Sequence, residues 1–330
     1  MPRLPLQLAV SLSLALPLFS AAAEPDRQAI RKKMELAMGP LPAADRTVPL
    51  DVKLGAEEKL AGYTRTKLTF AAEKGDRVPA WLLVPTGKAG KRPAMLCLHQ
   101  TNNVGKDEPV GLGGNPNLWY AEHLVTRGYV CLAPDYPSFG EYKYDFQAAV
   151  KRGDYQSGSM KAIWNNMRAV DLLQALPGVD KDRVGVIGHS LGGHNAMFTA
   201  AFDERLTAIV SCCGFTSFPK YYNGNLKGWT SDRYMPRIAA EYGNDPKKVP
   251  FDFPDVVTSF APRAFLAVAP VRDDNFAVAG VKDVIAAAEP AYKAANAADH
   301  LRAIHPDSAH DFPEAARKTA YEFLDKHLKP

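Results

Sequence analysis

The sequence has 330 residues, of which 46% are hydrophobic and 23% are charged. This composition is typical of globular proteins and excludes a disordered or collagen-like chain. The formal net charge is only +4, and the 40 basic residues are spread among 36 acidic ones without a dense basic block. This distribution argues against nucleic acid as a partner.

The first 23 residues have the pattern of a cleavable signal peptide. Arg3 supplies a positive start, residues 4–19 are almost wholly apolar, and the small residues at 20–23 fit a cleavage site before Glu24. The alternative is a membrane anchor, but the apolar run is shorter than the ~20 residues that a spanning helix needs. No later stretch is long and apolar enough to span. We therefore expect an exported protein, periplasmic or secreted, whose mature chain, 24–330, forms a single domain without membrane insertion.

The mature chain begins with a segment, 24–62, whose pattern is helical and loop-like. Residues 63–72 alternate between polar and apolar, as in a half-buried strand, and 78–84 predict its partner across the turn at Lys74-Gly75-Asp76. The sequence therefore predicts an antiparallel N-terminal hairpin.

Short, continuous apolar runs then alternate with helical patterns. Runs of this kind are typical of strands buried on both faces of a parallel sheet. The predicted strands are 94–98, 129–133, 184–187, 208–213, 264–268 and 301–305, and the predicted helices are 118–127, 158–176, 191–202, 281–297 and 313–328. This order predicts an α/β fold with a mixed, mostly parallel, doubly wound sheet.

Two connections are longer than such a fold requires. Residues 100–117 form a polar, glycine-containing loop, and 214–263 form a long segment rich in aromatic residues. Long ordered loops are usually functional. We interpret 214–263 as a lid-like insertion over the carboxyl edge of the sheet, where open α/β sheets bind ligands. The alternative is an elaboration packed against the core.

The four cysteines are Cys97, Cys131, Cys212 and Cys213. All lie in the apolar runs, and none has the spacing of a metal site. We interpret them as small, buried apolar residues, with a disulfide bridge as the alternative that export permits.

The pentapeptide Gly188-His189-Ser190-Leu191-Gly192 carries the chemistry. Gly-x-Ser-x-Gly between a strand and a helix is the nucleophile elbow of α/β hydrolases: the sharp turn exposes the hydroxyl, and bulky flanking residues would clash. A predicted strand precedes this motif and a predicted helix follows it. The sequence therefore predicts Ser190 as a nucleophile.

The general base should follow the last strand, because this fold orders its triad as serine, acid, histidine. His310 lies in a loop before the terminal helix and is the preferred base. His305, next to Pro306, is the alternative. His194, on the helix after the nucleophile, is expected to face away from the nucleophile's turn.

The acid should lie in the loop after strand 264–268, where Asp273 and Asp274 are adjacent. Its task is to orient the imidazole and stabilise its charged form. Asp273, closer to the strand, is preferred, and Asp274 stays open.

The oxyanion needs two backbone N–H donors. One comes from Leu191, directly after the nucleophile. The loop after the strand that ends near His99 should supply the other, so Gln100 is the candidate, with Thr101 behind it. Such a mechanism needs no cofactor and no metal.

From about Tyr63 onward the chain resembles the dienelactone hydrolase and acetyl xylan esterase-like branch of the α/β hydrolases. Four segments carry the resemblance: 98–101, 133–137, 188–194 and 309–313. Dienelactone hydrolases use a cysteine nucleophile where this chain has Ser190, which favours an esterase. The resemblance implies an α/β-hydrolase fold and hydrolysis of small-molecule or carbohydrate esters, with acetyl groups on plant polysaccharide as one case.

Two other functions stay open. Prolyl peptidases share this catalytic core, although they usually carry a large N-terminal propeller that the ~40 residues between the signal and Tyr63 cannot build. A non-catalytic binding protein on the same fold would be expected to lack a member of the triad, and every member has a candidate here.

Overall fold

The computed structural model describes residues 25–87 and 90–329. The predicted signal peptide, 1–23, lies outside the described residues. Within them, no helix has both the length and the apolar character that crossing a membrane would need.

The described residues form one mixed sheet. Its strands are β1 (Lys53–Leu60), β2 (Tyr63–Glu73), β3 (Asp76–Pro85), β4 (Arg92–Leu98), β5 (Val130–Pro134), β6 (Val179–His189), β7 (Leu206–Cys212), β8 (Ala264–Val268) and β9 (Leu301–Ile304). The order across the sheet is β1-β2-β3-β5-β4-β6-β7-β8-β9. Strands β1 to β3 pair antiparallel, β3 pairs antiparallel with β5, and the others are parallel. The predicted mostly parallel sheet and the N-terminal hairpin are confirmed.

Helices cover both faces of the sheet. They are α1 (Arg27–Met38), α2 (Tyr120–Thr126), α3 (Phe146–Arg152), α4 (Gly158–Ala175), α5 (Leu191–Phe202), α6 (Arg237–Ala240), α7 (Phe253–Thr258), α8 (Val278–Ala294) and α9 (Glu314–Leu328). The first, fourth, fifth, seventh and eighth pack on one face, and α2 and α9 pack on the other. Ala94 and Leu96 of β4 belong to the first core, whereas Met95 and Cys97 belong to the second. The parallel strands are continuously apolar because both their faces are buried.

The expectation for 24–62 was wrong in part, because this segment contains the edge strand β1. Every residue of β1 is exposed, and charges such as Lys53, Glu57 and Glu58 replace an apolar alternation. A charged edge strand of this kind resists pairing with other chains, but it carries no hydrophobic period from which it could be predicted. The short helix α3 was also missed.

The predicted insertion, 214–263, is packed against the domain. It contains α6, α7 and several 3-10 turns. Phe218, Leu226, Trp229 and Met235 are buried in the same core as α4 and α5. In this structure the segment therefore packs on the core and also supplies part of the surface beside Ser190.

Candidate active site

The fold gathers the predicted site residues at one edge of the sheet. Gln100 follows β4, Ser190 follows β6, Asp273 follows β8 and His310 follows β9. All four strands are parallel, so their carboxyl ends meet at the same edge. Strand order also reverses at β4, whose neighbours are β5 and β6, and such a switch point opens a crevice for ligands.

Ser190 occupies a strained turn between β6 and α5. Its backbone has φ 52° and ψ −115°, a region that residues with a side chain rarely adopt. The Ser190 N–H donates to the Cys212 carbonyl at 2.9 Å, which fixes the turn to the neighbouring strand. The structure thus places Ser190 in the geometry of a nucleophile elbow.

Gly188 and Gly192 of the pentapeptide have no room for a side chain, because a Cβ at either position would clash with backbone atoms. A Cβ on Gly188 would lie 2.2 Å from the Gly192 carbonyl oxygen, and a Cβ on Gly192 would lie 1.9 Å from the Leu98 carbonyl oxygen. Because the clashing atoms belong to the backbone, the clash cannot be relieved by rotating a flexible side chain. Helix α5 can therefore begin directly against the end of β4, which brings Ser190 close to the Gln100 loop.

Asp273 and His310 are brought together. The Nδ1 of His310 lies 3.0 Å from each carboxylate oxygen of Asp273. Because Nδ1 faces a carboxylate, it carries the proton of the neutral ring and leaves Nε2 free to accept one. Asp274, the open alternative, is exposed to solvent, and His305 turns its Nδ1 to the Ala269 carbonyl instead.

The surroundings of the Asp273 carboxyl group favour its ionised form. Burial raises the pKa of this carboxyl, but the hydrogen bond and charge of His310 and the N–H groups of Phe276 and Asn275 outweigh it, so that the pKa is lowered. Those two N–H groups donate to Oδ1 at 3.0 and 2.9 Å. The carboxylate is therefore both charged and fixed in direction toward His310.

Among the described residues, no hydrogen bond joins Ser190 Oγ to His310. The ring of His189, the residue before Ser190, lies edge-on to that of His310 with centroids 4.8 Å apart. Catalytic hydrogen bonds are often long without substrate. The roles of Ser190, His310 and Asp273 stay predictions at this point.

The Gln100 loop is held by hydrogen bonds of His99 and Glu108, of which the sequence analysis did not identify Glu108. His99 is buried and accepts the Tyr136 N–H at Nε2, 2.9 Å away, so its Nδ1 carries the proton and donates to the Gln100 carbonyl at 2.6 Å. The Gln100 side chain donates to the buried carboxylate of Glu108 at 3.0 Å. Leu191, the second predicted donor, is the first residue of α5, where helix N–H groups lack intrahelical partners.

Beside Ser190 lies a cavity of about 250 Å³. Its described lining is Thr101, Ser190, Leu191, His194, Tyr221, Gly228, Trp229, Tyr234, Asn275 and Phe276. Three of its aromatic rings come from the predicted insertion, and Tyr234 OH lies 3.2 Å from Thr101 Oγ1. The site therefore combines a serine with an aromatic wall.

The expectation that His194 faces away was wrong. It lies on α5 one turn after Ser190, so its ring reaches the same cavity, where it packs edge-on to Trp229 at 4.7 Å. Burial lowers its pKa to about 3, against the opposing hydrogen bond from Nδ1 to the Gly214 carbonyl. Burial also lowers the pKa of His189 to about 3, assisted by the charge of His310 and opposed by Asp273. Both rings are neutral at neutral pH.

Comparisons with known proteins identify the family and the fold of the chain. Residues 117–330 match the model of the prolyl oligopeptidase family. The chain is 27% identical over 311 residues to YtaP of Bacillus subtilis (strain 168), which is named as a hydrolase, covering 90% of this chain and 98% of YtaP. In fold it is similar to a glucuronoyl esterase from Solibacter usitatus, with a TM-score of 0.72, 20% identity and 92% of both chains covered. An acetyl xylan esterase from Paenibacillus sp. R4 gives a TM-score of 0.62 at 17% identity, covering 95% of this chain and 100% of that one. The expected α/β-hydrolase fold and the resemblance are confirmed.

The lowered pKa values of the buried His189 and His194 predict a loss of stability in acid. An unfolded histidine binds its proton below about pH 6.5, whereas the folded pKa of His194 is about 3. Between these values the unfolded state holds more protons, so the free energy of unfolding falls as pH falls, by at most about 1.4 kcal/mol per pH unit for each histidine. In His194→Gln we expect a shallower fall between pH 6.5 and 4, measured by urea unfolding. An unchanged slope would contradict the burial argument.

Proposed function

The chain is a serine hydrolase of the prolyl oligopeptidase family, and we propose that it is an exported esterase that cleaves carboxylic esters through an acyl-enzyme on Ser190. The observation that carries this proposal is the pair formed by Asp273 and His310, with Nδ1 3.0 Å from both carboxylate oxygens, beside the strained turn of Ser190. A fixed, charged acid and a histidine with a free Nε2 are what a serine hydroxyl needs for activation.

In the proposed mechanism, Ser190 Oγ attacks the ester carbonyl while His310 Nε2 takes its proton. The ionised Asp273 stabilises the imidazolium and keeps its proton on Nδ1. His310 then gives the proton to the departing alcohol, which leaves the acyl group on Ser190. A water molecule, deprotonated by the same Nε2, releases the acid and restores the serine.

The backbone N–H groups of Gln100 and Leu191 are the proposed oxyanion donors. Leu191 offers the positive end of α5, where partial positive charge favours an anion. Gly192 allows that helix end to approach β4, because it has no Cβ to meet the Leu98 carbonyl. The hydrogen bond from His99 to the Gln100 carbonyl fixes the Gln100–Thr101 peptide, which adjoins the proposed donor, so this part of the loop is ordered before substrate arrives.

We propose a carbohydrate ester as the substrate class. Trp229, Tyr221 and Tyr234 offer flat apolar faces beside Ser190, and aromatic faces suit the apolar faces of sugar rings. His194 is neutral, so no described residue in this lining carries a formal charge at neutral pH. The carbohydrate esterases whose folds are similar support the same class, with acetylated xylan as one candidate.

A prolyl-type peptidase is the second candidate, because the family match favours it. A peptidase that buries the charged terminus of a short peptide beside its serine needs an opposite charge there. The uncharged lining beside Ser190 fits an ester better.

The proposal includes residues 1–23 as a removed signal peptide and 24–330 as one catalytic domain. The segment 214–263 is its lid-like insertion, since it supplies Tyr221, Trp229 and Tyr234 to the cavity. The mild positive net charge, +4 for the whole chain, is compatible with an acidic polysaccharide.

An esterase and a peptidase can be distinguished by the substrate that each cleaves. Acetate release from acetylated xylan and cleavage of a proline-containing peptide would be measured in parallel with the purified protein. We expect acetate release and no peptide cleavage, with both activities absent from Ser190→Ala. Peptide cleavage by the wild type, lost in Ser190→Ala, would support the peptidase instead. Persistence of acetate release in Ser190→Ala would remove the serine from the mechanism.

The adjacent carboxylates provide a matched pair of variants. Asp273→Asn should lower kcat on p-nitrophenyl acetate by up to about 10⁴-fold, because the amide cannot hold His310 in the required tautomer. Asp274 is exposed, so Asp274→Asn should change kcat less than about twofold. A larger loss in Asp274→Asn than in Asp273→Asn would contradict the assignment.

A further inference from the structure

Three potential metal ligands lie close together at the carboxyl ends of β6 and β7, next to the turn of Ser190. His189 ends β6 and pairs across the sheet with Cys212, which ends β7, and Cys213 follows. One ring nitrogen of His189 and the two cysteine sulfurs all lie within 4.8 Å of one another. All three side chains are buried, at 1%, 1% and 2% exposure.

The local backbone places the adjacent thiols together. Neighbouring residues of an extended strand point to opposite faces, but Cys213 has φ 49° and leaves the strand in the left-handed region. Its N–H donates to the Val268 carbonyl at 2.9 Å, which holds the turn. The two Sγ atoms are consequently 3.8 Å apart, and both cysteines are free thiols.

His189 has unused binding capacity. Neither of its ring nitrogens has a hydrogen-bond partner among the described residues. A buried polar atom without a partner costs free energy, so such an atom marks a position where a ligand is favourable. The thiols have only weak contacts, with each other, with the Asp311 carbonyl at 3.5 and 4.0 Å, and with Asp273.

The spacing of the sulfurs matches a tetrahedral ion. Two thiolates, each about 2.3 Å from zinc, stand about 3.8 Å apart when the ion is tetrahedral, and the observed Sγ–Sγ separation is 3.8 Å. Two sulfurs and one imidazole nitrogen form a soft donor set, which selects zinc-like ions over magnesium or calcium.

We propose that His189, Cys212 and Cys213 form a binding site for a thiophilic divalent cation of the zinc and cadmium class. On binding, each thiol gives its proton to the solvent and coordinates as a thiolate, while the neutral imidazole coordinates through one nitrogen. The fourth position is left for water. The neighbouring His310 side chain is 23% exposed, whereas the three proposed ligands are almost wholly buried.

The site lies against the proposed catalytic pair. Cys213 Sγ, a carboxylate oxygen of Asp273 and a ring nitrogen of His310 are also within 4.8 Å of one another. A cation held on Cys213 therefore disfavours the imidazolium of His310 and competes for Asp273, so that occupancy inhibits hydrolysis. This consequence rests on the proposed function, whereas binding of the cation does not.

Binding is tested by titrating the reduced, reductant-free protein with Cd²⁺. We expect one ion per chain, detected by thiolate-to-cadmium charge-transfer absorption and by metal content after gel filtration. Cys212→Ser, Cys213→Ser and His189→Phe should each weaken binding at least about tenfold. Cadmium NMR of the wild type should report two sulfur ligands, and this measurement does not depend on the folding of a variant.

Cys97 and Cys131 provide the matched control, because they form a second buried thiol pair in the core. The double variant Cys97→Ser/Cys131→Ser should bind Cd²⁺ as the wild type does. The proposal is overturned if the wild type binds no ion, or if this control loses the ion. It is also overturned if His310→Ala loses binding while His189→Phe keeps it, since that result assigns the ion to Cys213, Asp273 and His310.

The inhibitory consequence has its own readout. One equivalent of Zn²⁺ or Cd²⁺ should abolish ester hydrolysis by the wild type, and a chelator should restore it. Cd²⁺ binding without inhibition would retain the site and remove its link to His310. An inactive wild type that still binds one ion at Cys212 and Cys213 would reject the proposed function while leaving the metal site standing.

Discussion

The backbone turn at Ser190 is the constraint on which the rest of the site depends. A residue with a side chain is held at φ 52°, and this is possible because Gly188 and Gly192 let three backbone segments approach closer than any Cβ would allow. The turn is further fixed by the hydrogen bond from the Ser190 N–H to Cys212. A strained backbone conformation of this kind persists only where the surrounding contacts hold it in place.

The buried ionisable groups around this turn differ in charge: one is charged and two are neutral. Asp273 is held ionised by His310 and two backbone donors, whereas burial keeps His189 and His194 neutral. A charged His189 would repel an imidazolium on His310, the form that the proposed mechanism requires. The neutral ring therefore supports the charge pattern of the proposed mechanism. The cost of that position is two ring nitrogens that have no hydrogen-bond partner in the described part of the chain.

Much of the fold could be predicted from the sequence, because strands that are buried on both faces have continuous apolar sequences. Strand β1 could not, since its residues are all exposed. At the site, Ser190 has a motif, whereas the order of strands narrows the acid to Asp273 or Asp274 and the base to His310 or His305 without choosing between them. His194 was misjudged because one helical turn returns it to the side of Ser190. The cluster of His189, Cys212 and Cys213 depends on strand register and on one left-handed residue, which no sequence period encodes.

The central claim is that Ser190 carries the acyl group. Its most direct test is labelling with a phosphonate that reacts only with activated serines, followed by mass spectrometry of the peptide that bears the adduct. The account predicts stoichiometric labelling at Ser190, a loss of labelling in Ser190→Ala, and strongly slowed labelling in His310→Ala. An adduct on another residue, or a Ser190→Ala variant that labels at the wild-type rate, would contradict it.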